Sequence, residues 1–153
     1  MNALELKIHP PVVAAAVALV MWALAWALPL PALPGGLQGW PAVASALAGV
    51  AIALAAIVSF RRARTTVDPR RPEQTSAVVS SGIYRITRNP MYLGVLLVLL
   101  AWALRLGSAA ALLGPPAFLL YIDRFQIRPE ERLLTQRFGS LYTGYRARVR
   151  RWL

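Results

Sequence analysis

Arg88-Asn89-Pro90-Met91-Tyr92 and Arg128-Pro129-Glu130-Glu131 are the two stretches of this chain whose residue types and spacing point to chemistry. Each reads locally as a helix start. Asn is a favoured N-cap, and Pro at the first helical position has no amide to leave unsatisfied. Two acids in a first turn complement the helix dipole. Between Pro90 and Pro129 lie 38 residues, about the length of a rising helix, a tight turn and a falling helix at ~1.5 Å per residue. Both starts are therefore expected at one edge of a single hairpin. Brought together there, two helix N-termini, Arg85, Arg88, the Glu pair and several tyrosines would line a polar pocket above apolar walls. Arginine and free helix amides take a carboxylate, a glutamate takes an ammonium or hydroxyls, and a tyrosine face sits against a cation. Such a pocket suits a zwitterion with an apolar or aromatic part.

The elements that must position these residues are membrane helices. Hydrophobic residues make up 58% of the 153 and the mean hydropathy is +0.52, above the ~45–50% apolar content of soluble domains. Residues 11–30 and 41–60 each run without a charge, and about 20 apolar residues cross a hydrocarbon core. A second span follows the first and the charged region before it is weak, so the first block reads as an uncleaved helix, not a signal peptide. Helix one is expected over about 10–31 and helix two over about 41–62, with an outer turn at 29–41 full of breakers. Ala44, Ala48, Ala51 and Ala55 predict a close-packing stripe on helix two. The stretch 63–89 reads as a polar loop with little regular structure. A hairpin then rises from Pro90, turns at 105–109 and descends to about 127, with a kink at Gly114-Pro115-Pro116. The last segment, from Arg128 on, reads as one amphipathic surface helix carrying Leu133, Leu134, Phe138, Leu141, Tyr142 and Tyr145.

Charge sets the orientation. The formal net charge is +11, and sixteen of the seventeen basic residues are Arg, Lys7 being the exception. Residues 61–90 carry seven Arg and residues 123–153 eight, whereas the connectors 31–40 and 105–109 carry only Arg105 between them. The positive-inside rule puts the Arg-rich segments, and both termini, on the cytoplasmic side, where they meet anionic headgroups. No basic stripe interleaved with stacking aromatics appears away from the membrane edges, which argues against a nucleic-acid partner. With no Cys and a single His, His9, thiolate and multi-His metal sites, disulfides and Cys nucleophiles are excluded. His9, before Pro10 and Pro11, reads as interfacial. The expected class is all-α and integral membrane: four transmembrane helices, the last two a hairpin, plus a cytoplasmic amphipathic helix. It forms one domain over 1–153, with two generic helices in 1–62.

Over residues 80–153 the sequence resembles the isoprenylcysteine carboxyl methyltransferase and phospholipid methyltransferase superfamily of integral membrane proteins. The resemblance rests on Gly82-x-Tyr84-x-x-x-Arg88-Asn89-Pro90-x-Tyr92-x-Gly94, Glu130-Glu131-x-Leu133-Leu134, Phe138-Gly139-x-x-Tyr142-x-x-Tyr145 and Arg151-Trp152. It implies S-adenosylmethionine as methyl donor, held between the hairpin's cytoplasmic end and the C-terminal helix, and a lipid-like or small amphiphilic acceptor entering from the bilayer. No glycine-rich dinucleotide loop accompanies it. Carried over residue by residue, the cofactor site would comprise Tyr84, Arg88, Asn89, Pro90, Tyr92, Glu130 and Glu131. Arg88, Glu130 and Glu131 would carry the chemistry, and Tyr142, Tyr145 and Arg151 would contact the acceptor. The carboxyl methyltransferases commonly have His where this chain has Asn89, and Asn has no basic nitrogen near neutral pH. Methyl transfer from such a donor needs alignment and exclusion of water more than acid–base chemistry. One of the Glu pair is expected to be ion-paired with Arg, and truncating Glu131 is expected to abolish cofactor binding while sparing the fold. Arg146, Arg148, Arg150 and Arg151 also read as a solvated, headgroup-facing run with Trp152 as interfacial anchor. A non-catalytic membrane protein that binds lipid headgroups or supports a larger complex is the alternative.

Overall fold

The structure, a computed structural model, describes residues 5–28, 30–63 and 78–153. The expectation of an irregular polar loop falls, for residues 64–77, outside the described residues. The described chain is helical, without a strand. Its helices are α1 (Pro10–Ala27), α2 (Trp40–Arg62), α3 (Pro90–Leu106), α4 (Gly114–Ile122), α5 (Arg128–Phe138) and α6 (Ser140–Arg148). Pro occupies the first or second position of the first five, and at the free starts of α1, α2 and α3 its missing amide costs nothing. Only α1 and α2 are long and apolar enough to cross a membrane among the described helices; α3, at 17 residues, is shorter. Both long helices present Leu19, Trp26, Leu47 and Leu54 outward, as helices immersed in lipid must, since no water drives those side chains inward.

α2 lies along α3 in the most extensive contact between the described helices. Ala44, Ala48, Ala51 and Ala55 are all exposed, so the predicted packing stripe is on the wrong face of α2. The buried face carries Ala42, Gly49, Ala56 and Ser59 instead. Gly49 meets Gly94 of α3 so closely that a methyl on either would stand 2.6 Å from the other's carbonyl oxygen. Only glycine permits that approach. Ser45 adds a hydrogen bond from its hydroxyl to the Leu97 carbonyl at 2.8 Å. On the other side, α1 packs against α3 and α4, where Met21, Leu99, Ala103, Phe118, Ile122 and Ile127 form the core.

The descending arm departs from expectation in two places. It begins as a 3-10 turn, Ala109–Leu113, and becomes α-helical at Gly114. Gly114-Pro115-Pro116 therefore opens α4; it does not bend a longer helix. At the other end, α4 does not stop. A π turn, Asp123–Ile127, carries it directly into α5, with Ile122, Ile127 and Arg128 all in the right-handed helical region. Arg128-Pro129 is therefore not a fresh helix start, and no free helix N-terminus exists there. The wide turn accommodates proline within a helix: Arg128 N–H donates to the Asp123 carbonyl five residues back, and Pro129 has no amide to place. Nor is the C-terminal segment one helix. Gly139, at φ +50° and ψ −123°, breaks it between α5 and α6, a conformation closed to residues with a Cβ. Beyond Arg148 the chain is non-helical. Residues 82–85, expected to be irregular, form a 3-10 turn.

Candidate functional site

Pro90, fully buried, starts α3 and hands the preceding residues to the site. Asn89 does not cap the helix through its side chain. Its amide Nδ2 donates instead to the Arg151 carbonyl at 3.0 Å, joined there by Thr87 Oγ1 at 3.1 Å, while Arg88 N–H donates to the Arg150 carbonyl at 3.0 Å. Three consecutive residues thus grip the backbone of the C-terminal tail. The cap was expected because a polar side chain before proline ordinarily turns back to free amides; here the buried tail carbonyl offers the better partner. Trp152 packs against the core cluster.

The grip aims the Arg151 side chain. Its Nη2 and Nε donate to the two oxygens of Glu131 at 2.6 and 3.3 Å, and its Nη1 donates to Asp123 at 2.8 Å. These hydrogen bonds hold the guanidinium more firmly protonated still. Arg151 is therefore ion-paired with Glu131 and Asp123, not a member of a solvated run. Arg88 Nη1 lies 3.2 Å from Glu131 Oε1, with side-chain exposures of 10% and 9%, and Arg146 approaches Glu131 at 3.9 Å. Glu131 is the ion-paired member of the acidic couple. Its removal would strand the buried Arg88, so truncating it is expected to cost stability as well as any binding.

Glu130, one residue earlier, has neutral partners. Its Oε1 accepts from the Tyr92 hydroxyl at 2.8 Å and from Gln126 Nε2 at 2.7 Å. Burial pushes its carboxyl up to about 7, opposed by those two hydrogen bonds and assisted by the neighbouring Glu131 charge. Two adjacent carboxyls are thereby set apart, one paired with arginines and the other, among neutral partners, pushed up to about 7. Tyr84 stands on the Gly82–Arg85 turn, edge-on to Phe60 at 5.3 Å, and its carbonyl accepts from the Tyr145 hydroxyl at 2.7 Å. Tyr142 and Tyr145 are buried side by side on α6. Burial raises both phenols, that of Tyr142 to about 12.

The structure thus brings together Arg88, Asn89, Pro90, Tyr92, Glu130, Glu131, Tyr142 and Arg151, with Tyr84 and Tyr145 joined at one side. Sequence reasoning passed over Thr87, Asp123 and Gln126. The last two were legible as the polar residues ending an apolar run, at i, i+3 and i+7 with Glu130. A helix presumed to end at 127 hid that spacing. Among the described residues no cluster of His, Asp and Glu could hold a metal ion.

The chain is similar to known proteins. An uncharacterised protein of Haemophilus influenzae is 52% identical over 63 residues, 41% of this chain and the whole of that protein. Protein-S-isoprenylcysteine O-methyltransferase B of Arabidopsis thaliana is 34% identical over 100 residues, which span 61% of this chain and 48% of that protein. No solved structure matches the chain significantly. The model of the phospholipid methyltransferase family matches residues 37–140, taking in α2 as well as the hairpin and the Glu pair. The chain belongs to the phospholipid methyltransferase family.

Proposed function

We propose that this protein transfers a methyl group from S-adenosylmethionine to a lipid-like or small amphiphilic acceptor at the cytoplasmic face of a membrane. In this reading the bundle spans with α1, α2 and the two hairpin arms, while α5 and α6 lie at the cytoplasmic surface with both termini, in a bacterial inner membrane. One observation supports it most: the Arg88 guanidinium is nine-tenths buried, its Nη1 stands 3.2 Å from Glu131, and its Nε has no hydrogen-bond partner among the described residues. A buried donor left unmade is costly, and a guanidinium N–H open in this way fits a carboxylate.

The residues fit the donor's amino-acid portion. Arg88 would take its carboxylate, and Glu130 and Glu131 its ammonium or hydroxyls. Tyr92, Tyr84 and Pro90 would close the apolar side. Asn89 contributes at one remove, by holding the tail that aims Arg151. S-adenosylmethionine would supply an activated methyl group. The chain's own work is alignment and exclusion of water: Tyr142, Tyr145 and Arg151 cover the pocket from the tail side, and the acceptor enters from the lipid. Glu130, near neutrality, is the residue suited to take a proton from an acceptor that loses one. Binding of S-adenosylmethionine to the protein in detergent, measured by calorimetry, tests the reading, and no binding would overturn it. Label from methyl-labelled donor, followed into a lipid extract, then identifies the acceptor.

A further inference from the structure

The helix that carries Asp123, Gln126, Glu130 and Glu131 is interrupted at the π turn, and that interruption leaves a vacancy in its hydrogen bonding. In an α-helix the Phe125 carbonyl would accept from residue 129, but Pro129 has no N–H. The amide of Leu6 fills the place, donating to the Phe125 carbonyl at 3.1 Å. Beside it, Glu5 reaches over the same turn. Its Oε1 accepts from Arg124 Nη1 at 3.4 Å and its Oε2 from Arg132 Nη2 at 2.6 Å. Arg124 lies within the π turn and Arg132 on α5 beyond it, so the carboxylate staples the two together.

This is not a solvated tail touching a surface. The Glu5 side chain is 4% exposed although its two arginines are about half exposed, and a carboxylate withdrawn so far from water persists only when fully paired. Leu6 sits at φ +58°, a conformation that non-glycine residues keep only where their surroundings hold them. Both features mark an attachment with a defined geometry, at the one turn from which Gln126 reaches Glu130. π turns are enriched at functional sites because they re-aim side chains, and this one is held from outside.

We propose that the amino-terminal segment is part of the functional site, with Glu5 a positioning residue that, together with Leu6, clamps the π turn presenting Asp123, Gln126, Glu130 and Glu131. The proposal deepens the methyltransferase reading and rests on it for its ligand. The test compares full-length wild type, Glu5→Gln and an exposed control, Lys7→Gln, in detergent. Hydrogen exchange reports the turn itself, and calorimetry with S-adenosylmethionine across pH reports the site. The groups facing Glu130 are Tyr84, Tyr92, Gln126, Glu131 and Tyr142; loss of the Gln126 bond among them moves the midpoint of the pH profile upward. Glu5→Gln is expected to speed exchange over residues 123–127 about tenfold. It should weaken binding about tenfold, the effect of one displaced charge-assisted contact, and raise that midpoint. Lys7→Gln should change none of the three. Unchanged exchange and an unmoved midpoint in folded Glu5→Gln would overturn the proposal. Should Glu5→Gln fail to fold, the exchanged pair Glu5→Arg with Arg132→Glu decides: restored protection of 123–127 supports the clamp, and none overturns it. If wild type binds no S-adenosylmethionine the methyltransferase reading falls, and the exchange comparison still decides the clamp.

Discussion

Truncating Glu131 should destabilise this protein strongly, whatever it does to catalysis. The Glu131→Ala change removes the carboxylate that Arg88 and Arg151 share, at side-chain exposures of 9%, 10% and 29%. Arg151 keeps Asp123 at 2.8 Å, whereas Arg88 keeps no ion pair among the described residues. Stranding one partner of a buried pair costs about 3–5 kcal/mol. For a chain of roughly 150 residues that lowers Tm by about 6–20 °C. The exposed pair Arg128–Asp123, with Arg128 at 55%, sets the scale for comparison: Arg128→Ala should cost less than about 1 kcal/mol. Because the damage lies in the unpaired cation and not in the lost acid, adding Arg88→Ala to Glu131→Ala should recover part of the loss. Thermal unfolding in detergent of the four members of this cycle measures it. A double variant as unstable as the sum of its parts would refute the shared-carboxylate account.

Other expectations concern packing, pH and the tail. Gly49→Ala and Gly94→Ala each force a methyl to 2.6 Å from a facing carbonyl oxygen and should each destabilise by about 1–3 kcal/mol; Gly36→Ala, with open space around it, should be silent in the same melts. Glu130 titrates near 7 in the fold, above its ordinary range. Its contribution to stability is therefore fully present at low pH and is lost as pH rises through about 7. Affinity for a ligand bearing an ammonium should move oppositely, rising with pH through 7, and Glu130→Gln should flatten that profile in calorimetry. Asn89→Ala removes one of the two side-chain donors on the Arg151 carbonyl. It should cost about 1 kcal/mol of stability and weaken S-adenosylmethionine binding more than the exposed change Arg150→Ala does.

Much of this protein follows from local pattern. Uncharged runs of twenty residues have one low-energy form in lipid, a helix that satisfies its own backbone, so α1 and α2 were readable with their ends near Pro10 and Arg62. Pro90 marked the start of α3 because proline is pre-set for a first helical turn. The 38-residue interval to Pro129 correctly predicted that Arg88 and Glu131 would share one edge, since helix rise is nearly constant. The errors came where a residue had two local meanings. Pro129 reads as a helix start, but neighbouring helical turns on both sides carried the chain through it as a π turn, with the Leu6 amide meeting the vacant carbonyl. Asn89 reads as a cap, yet its partner lies 62 residues away in the tail. The packing face of α2 escaped because two stripes of small residues run along it, and lipid does not distinguish them; the facing Gly94 does. Which carboxyl is ion-paired and which is poised is equally absent from a Glu-Glu dipeptide. It depends on two arginines and a tyrosine delivered from elsewhere in the chain, because charge and desolvation act through space and not along the sequence.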